Sequence, residues 1–135
     1  MTKHREASCA CGQLRLTCQN EPIRISICHC LDCQKRTGSV FGAQARFRRT
    51  DVTRIEGTST AFTRQGDSGG TVTFHFCPRC GSTVYWELSG VPEAYAVAIG
   101  AFADPHFPSP RVSVYEERRH DWVDLGDLTG LERLG

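Results

Sequence analysis

Seven of the eight cysteines in this chain fall into three tight clusters, and thiol is the residue type with the most chemistry to offer here. The clusters are Cys9-Ala10-Cys11-Gly12, Cys28-His29-Cys30-Leu31-Asp32-Cys33, and Cys77-Pro78-Arg79-Cys80-Gly81. A structural zinc takes four tetrahedral ligands, commonly as two pairs from distant parts of a chain. In a C-x-x-C-G turn both sulfurs can face one ion, and the glycine lets the backbone turn back past it. Cys77 and Cys80 form such a knuckle, and Cys9 with Cys11 supplies a partner pair without remainder. The spacing therefore predicts a closed four-cysteine zinc site, of a kind that contributes roughly 10–16 kcal/mol of binding free energy to folding.

Cys28, Cys30 and Cys33 make a different set. Three ligands is the usual number for a zinc that keeps one position open. Water, His29, Cys18 or a substrate thiol could fill the fourth place. Cys18 shares a strand face with Leu14 and Leu16, which reads as a buried, inert thiol. His29 sits between two ligands and points the other way, so it packs or lines a pocket. Three thiolates overcompensate a 2+ ion and leave it a weak Lewis acid, poor at activating water. A fourth thiol is deprotonated outright by such an ion. The set thus suits a thiol attacking a carbon electrophile, or the reverse cleavage of a carbon–sulfur bond, better than hydrolysis.

These clusters need strands to carry them. Short runs rich in Val, Ile, Phe, Thr and Tyr, broken by Gly, Pro, Asp and Ser, predict an all-β fold. Expected strands cover Gln13–Cys18, Ile23–Ile27, Phe41–Phe47, Val52–Glu56, Ser59–Thr63, Thr71–Phe76, Thr83–Glu87, Tyr95–Ile99 and Val112–Tyr115. Residues 65–70 read as a hairpin tip, and Cys30 to Gly38 as the one helical turn, stopped by Gly38. Leu125, Leu128, Leu131 and Leu134 recur every third residue in the tail. This suggests a short helix, packed on its own domain or offered to a second subunit as a homo-oligomer contact.

At 135 residues the chain is the size of a single domain, taken here as residues 5–123 with 124–135 as its tail. Sixteen Lys and Arg against fifteen Asp and Glu leave +1, which gives no electrostatic argument for nucleic acid or an anionic membrane. No run approaches the ~18 apolar residues of a membrane span. Met1 to Glu6 is polar and leads into no apolar run, so no secretory signal is expected. A cytoplasmic, reducing setting follows, in which clustered thiols hold metal rather than disulfides.

The order of the three clusters, extended through Cys28-His29-Cys30-Leu31-Asp32-Cys33-Gln34-Lys35-Arg36-Thr37-Gly38 and Phe76 to Gly81, resembles the glutathione-dependent formaldehyde-activating enzyme family. That family shares its domain with a vertebrate centromere protein. Gly100 to Pro105 and Tyr115 to Val123 extend the likeness, although Glu117-Arg118-Arg119-His120-Asp121-Trp122 departs from the family's usual Glu-Ser-Arg-x-Pro-Trp. The resemblance implies folded-over antiparallel sheets of the Mss4-like (β-tent) kind. It implies a structural zinc on Cys9, Cys11, Cys77 and Cys80, and a catalytic zinc on Cys28, Cys30 and Cys33 whose open place takes a small thiol such as glutathione. The implied activity is carbon–sulfur lyase, the reversible joining of formaldehyde and glutathione into S-hydroxymethylglutathione. Lys35, Arg36, Arg46, Arg48, Arg49, Arg64 and Arg119 are candidates to meet such a ligand's carboxylates. Trp86 and Trp122 could wall a pocket, and His75 could donate to a sulfur. The alternative is a non-catalytic zinc module for a macromolecular partner, supported by the basic runs Arg46-Phe47-Arg48-Arg49 and Arg118-Arg119-His120. A thiol or zinc sensor without turnover is a third reading.

Overall fold

The computed structural model describes residues 3–66, 69–128 and 130–135. Strands occupy 42% of the chain and helix 13%, so the all-β expectation holds. A three-stranded sheet has the order β1-β2-β5, built from β1 (His4–Ser8), β2 (Arg15–Gln19) and β5 (Val52–Glu56). An eight-stranded sheet contains β3 (Arg24–Cys28), β4 (Gly42–Arg48), β6 (Thr60–Gln65), β7 (Thr71–Phe76), β8 (Thr83–Leu88), β9 (Ala94–Ala98), β10 (Val112–Val114) and β11 (Glu132–Arg133). Its order is β11-β10-β3-β4-β9-β8-β7-β6.

The pairing is antiparallel except at one edge, where β10 runs parallel to both β3 and β11. The expected antiparallel sheets are present, and this parallel edge is an addition to them. The tail accounts for part of that edge: it enters the sheet as β11 rather than forming a helix, and Leu134 N donates to Ser113 O at 2.8 Å. Strand β1 was absent from the sequence expectation as well. Its inward positions are Arg5 and Ala7, and a buried arginine breaks the apolar alternation by which strands are read. Arg5 is 9% exposed, ion-paired to Glu21 at 3.2 Å and laid over the Phe107 ring. Of the hairpin tip predicted at residues 65–70, Asp67 and Ser68 lie outside the described residues.

The main core lies between the two sheets. Leu16 from the small sheet and Leu14 just before it meet Ala45, Phe47 and Val97 from the large one, all fully buried. Alternation then dictates what the opposite face of the large sheet carries. On β3 that face shows Arg24, Ser26 and Cys28; directly across on β4 it shows Arg46, Gln44 and Gly42. Laid flat, the six intervals from β10 to β6 would span about 29 Å. Yet side chains from both ends, Tyr115 just past β10 and Arg64 on β6, line one cavity of about 340 Å³. The large sheet therefore curls over on itself, and helix α1 (Leu31–Thr37) closes the fold.

Candidate metal centres and the cavity beside one of them

Cys9, Cys11, Cys77 and Cys80 bring their sulfurs within 4.8 Å of one another. The tight turn between β1 and β2 supplies the first pair, with Gly12 N donating to Cys9 O at 3.0 Å and Gly12 at φ +83°. The knuckle after β7 supplies the second pair, closed by Gly81 N to Cys77 O at 2.8 Å. The Cys9–Cys11 and Cys11–Cys77 sulfur separations are both 3.6 Å. That is far too long for a disulfide, and close to the edge of about 3.8 Å that a tetrahedron of sulfurs 2.3 Å from a zinc would have.

Donors converge on these sulfurs. Leu14 N and Arg79 N reach Cys9 Sγ and Cys77 Sγ at 3.3 Å each, and Gln13 Nε2 donates to Cys77 Sγ at 3.0 Å. Ser82, through its hydroxyl and its backbone N–H, draws the Cys80 thiol down to about 5. Such a set of donors stabilises thiolate, the form that binds metal. Gln13 is a contributor that sequence reasoning missed, since nothing in the spacing marks it. His75 does not play the part considered for it: its Nε2 pairs with Glu87 at 2.7 Å and its ring stacks on Tyr85.

Cys28, Cys30 and Cys33 form the second cluster, again with all sulfurs within 4.8 Å. Cys28 ends β3, Cys30 is the N-cap of α1, and Cys33 lies in its first turn, donating its N–H to Cys30 Sγ at 3.3 Å. The predicted helical turn and its stop at Gly38 (φ +67°) are both present. The neighbouring Cys28 and Cys33 thiols lower the pKa of Cys30, whereas Cys28 is pushed up by Cys30, by Cys33 and by burial.

No fourth protein group joins the trio among the described residues. His29, one option for that place, is fully buried and turned away, its Nε2 2.9 Å from Ser113 Oγ and 3.3 Å from Glu116 Oε2. Burial, the largest influence, lowers its pKa. Cys18, the other option, is buried in the core between the sheets.

The trio lines the 340 Å³ cavity. Trp86, one of the two tryptophans considered for a pocket wall, forms its apolar wall with Phe74, whereas Trp122 is 72% exposed. Arg36 lies over the Trp86 ring at 4.3 Å, and Arg64 pairs with Asp32 at 3.3 Å. Of the cationic candidates, Arg36, Arg46 and Arg64 reach the cavity, together with Arg24, which had not been singled out. Arg49 instead pairs with Glu87 at 2.8 Å and Arg119 with Glu116 at 3.4 Å. One arginine of each basic run is thus engaged with a carboxylate.

The model of the glutathione-dependent formaldehyde-activating enzyme family matches residues 4–118. The chain belongs to that family. A search of curated proteins finds no significant match. A structural-genomics crystal structure of a Rhodobacter sphaeroides protein is similar, with 19% sequence identity, a TM-score of 0.55, and 96% of this chain and 99% of that chain covered; at this identity the likeness speaks for the fold alone. Both cysteine clusters of this family member could hold metal ions. Among the described residues no helix is long and apolar enough to cross a membrane.

Proposed function

We propose that this chain is a zinc-dependent carbon–sulfur lyase acting in the cytoplasm on the formaldehyde adduct of a small thiol, of the S-hydroxymethylglutathione type. One observation carries the reading: three buried thiols, with no fourth protein ligand among the described residues, open onto a cavity of about 340 Å³. Cys28, Cys30 and Cys33 would hold the catalytic ion; Cys9, Cys11, Cys77 and Cys80 would hold a structural one. A zinc at the trio would keep an incoming thiol deprotonated near neutral pH.

The chain's own groups do the rest. Val114 and Tyr115 pack against the trio and limit water beside it. Trp86 and Phe74 give the organic part of the substrate an apolar surface. In the joining direction the thiolate sulfur forms a bond to the formaldehyde carbon, the carbonyl electron pair moves to oxygen, and that oxygen takes up a proton. The reverse step breaks the same carbon–sulfur bond and releases formaldehyde.

Arg49 and Arg119, one from each basic run, are held by separate carboxylates, which supports the enzyme over the macromolecule-binding module. The test is metal analysis followed by titration of the cobalt-substituted protein with glutathione, with and without formaldehyde. Two ions per chain and a sulfur-to-cobalt absorption change on thiol addition, lost in Cys30→Ser, are expected. No change with any small thiol would sink the lyase.

A further inference from the structure

The loop that carries the three cysteines is held from behind by groups that the proposed chemistry does not use. His29 stands between Cys28 and Cys30, and its side chain is fully buried. Its backbone is fixed on both sides: its N–H donates to Val114 O at 3.1 Å, and its carbonyl accepts from Gln34 Nε2 at 2.9 Å. The ring is tethered through one nitrogen only. Nε2 lies 2.9 Å from Ser113 Oγ and 3.3 Å from Glu116 Oε2, whereas Nδ1 is buried with no hydrogen-bond partner among the described residues. Ser113 Oγ donates its proton to Glu116 Oε2. What the hydroxyl has left for the imidazole is a lone pair, so Nε2 is the ring nitrogen that carries hydrogen.

Alternation along β10 sets this network behind the metal site. Val114 packs against the trio, so its neighbour Ser113 points to the other face. The chain then turns at Tyr115, a non-glycine residue in the left-handed region at φ +55°. A residue with a β-carbon adopts that conformation unfavourably, and it persists where its surroundings fix it. Here the turn lays Tyr115 against the trio and opens the short helical turn Glu116–Arg118. Glu116 is where the contacts meet. Besides His29 and Ser113, its carboxylate pairs with Arg119 at 3.4 Å and with Arg133 at 3.3 Å. Its N–H donates to Leu134 O at 2.9 Å. Arg133 belongs to β11, outside the span shared with the family, so a strand from the tail braces the carboxylate that braces His29.

We propose that Glu116 is a positioning residue for the metal loop: clamped by Arg133 of the tail, it fixes the His29 ring and, through His29, the placement of Cys28 and Cys30. Glu116 does not line the cavity, so it acts through another residue and meets no substrate. This rests on the trio's holding an ion, as in the proposed lyase, but not on turnover. A carboxylate that merely stabilised the fold would loosen both metal sites together. One that places these ligands loosens the trio alone.

The test is chelator competition on the cobalt-substituted full chain, with the absorption of each site followed separately. Glu116→Ala is expected to weaken the three-cysteine site by about 10–100-fold, to shift its absorption, and to leave the four-cysteine site within about twofold. Glu116→Gln still offers Ser113 and His29 an oxygen, and should recover most of that loss. Arg133→Gln changes the half-exposed end of the clamp, and is expected to weaken the same site about threefold. In a chain that already carries Glu116→Ala, Arg133→Gln should have no further effect, because its partner is gone.

Parent-like affinity and absorption in Glu116→Ala, equal weakening of the two sites, or an Arg133→Gln effect that persists beside Glu116→Ala would each overturn the clamp. An Arg133→Gln chain that holds cobalt at the trio as the parent does overturns it even where Glu116→Ala does not fold. Glutathione added to the parent reports separately on the lyase. If it moves no cobalt band while the variants behave as expected, the clamp stands and the lyase reading falls. If it moves the band and the variants leave the trio unchanged, the lyase reading stands and the clamp falls.

Discussion

The two cysteine clusters are built from the same atoms to opposite ends. In the four-cysteine cluster the chain comes from two hairpins far apart in sequence, and buried and exposed thiols alternate along it. Backbone N–H groups, Gln13 and Ser82 surround the sulfurs. In the three-cysteine cluster all the thiols come from one six-residue stretch, all are buried, and the open side faces a cavity rather than another segment. A site assembled from distant segments ties them together, so its loss is a loss of fold. A site assembled within one segment ties nothing distant, so its metal is free for chemistry.

The largest expected effect breaks the first site. Cys77→Ser removes a fully buried candidate ligand and, with it, most of a metal-binding free energy that can exceed the whole stability of a small domain, about 5–15 kcal/mol. Circular dichroism on the variant should show a chain largely unfolded at 37 °C, and chelation should do the same to the parent. A cooperatively folded Cys77→Ser with one ion lost would abolish the contrast between the clusters. The next effect is on chemistry. Cys30→Ser should lose one ion per chain and reduce glutathione–formaldehyde exchange to background, while unfolding stability falls by no more than about 2 kcal/mol. Atomic absorption and a thermal melt on one preparation decide this.

Much of this contrast was legible in the sequence because thiol spacing is a covalent-scale constraint. Cys30 to Gly38 could be read as a capped turn, and the partnership of Cys9–Cys11 with Cys77–Cys80 followed from ligand number alone. Less legible were features that depend on burial of polar groups. β1 was hidden because Arg5 occupies a core position by virtue of Glu21 and Phe107, partners remote in sequence. Arg24 looked like one surface charge among many, and only the β3–β4 register places it opposite Arg46 in a cavity. The Leu spacing of the tail suggested a helix, but pairing of β11 with β10 satisfies the backbone of that edge and overrides local preference.

A smaller effect sharpens the comparison by leaving every ligand in place. Gln13 clamps two things at once: Nε2 donates to Thr58 O at 2.7 Å and to Cys77 Sγ at 3.0 Å, and Oε1 accepts from Thr58 N at 2.9 Å. Gln13→Ala should lower zinc affinity at the four-cysteine site by about 10–100-fold, the range for lost partners of metal ligands. Metal affinity at the three-cysteine site should be unchanged. Chelator competition resolves the two sites because cobalt in each has its own absorption. Equal weakening of both would show that the clusters are coupled.

The smallest effect belongs to the thiol in neither cluster. Cys18 is buried between the sheets, and burial, opposed in part by the nearby Arg5 charge, pushes its pKa up to about 12. Burial disfavours thiolate, so at pH 7 only about one molecule in 10⁵ carries it, against a few per cent for an unfolded cysteine near 8.5. Iodoacetamide should therefore leave Cys18 unmodified in the zinc-loaded protein and modify it only as the chain unfolds. Cys18→Ala should cost about 1–2 kcal/mol in a denaturant melt and leave metal content and glutathione affinity as they are. If it lost an ion or shifted the cobalt spectrum, Cys18 would be a ligand and the vacant fourth place at the trio would not exist.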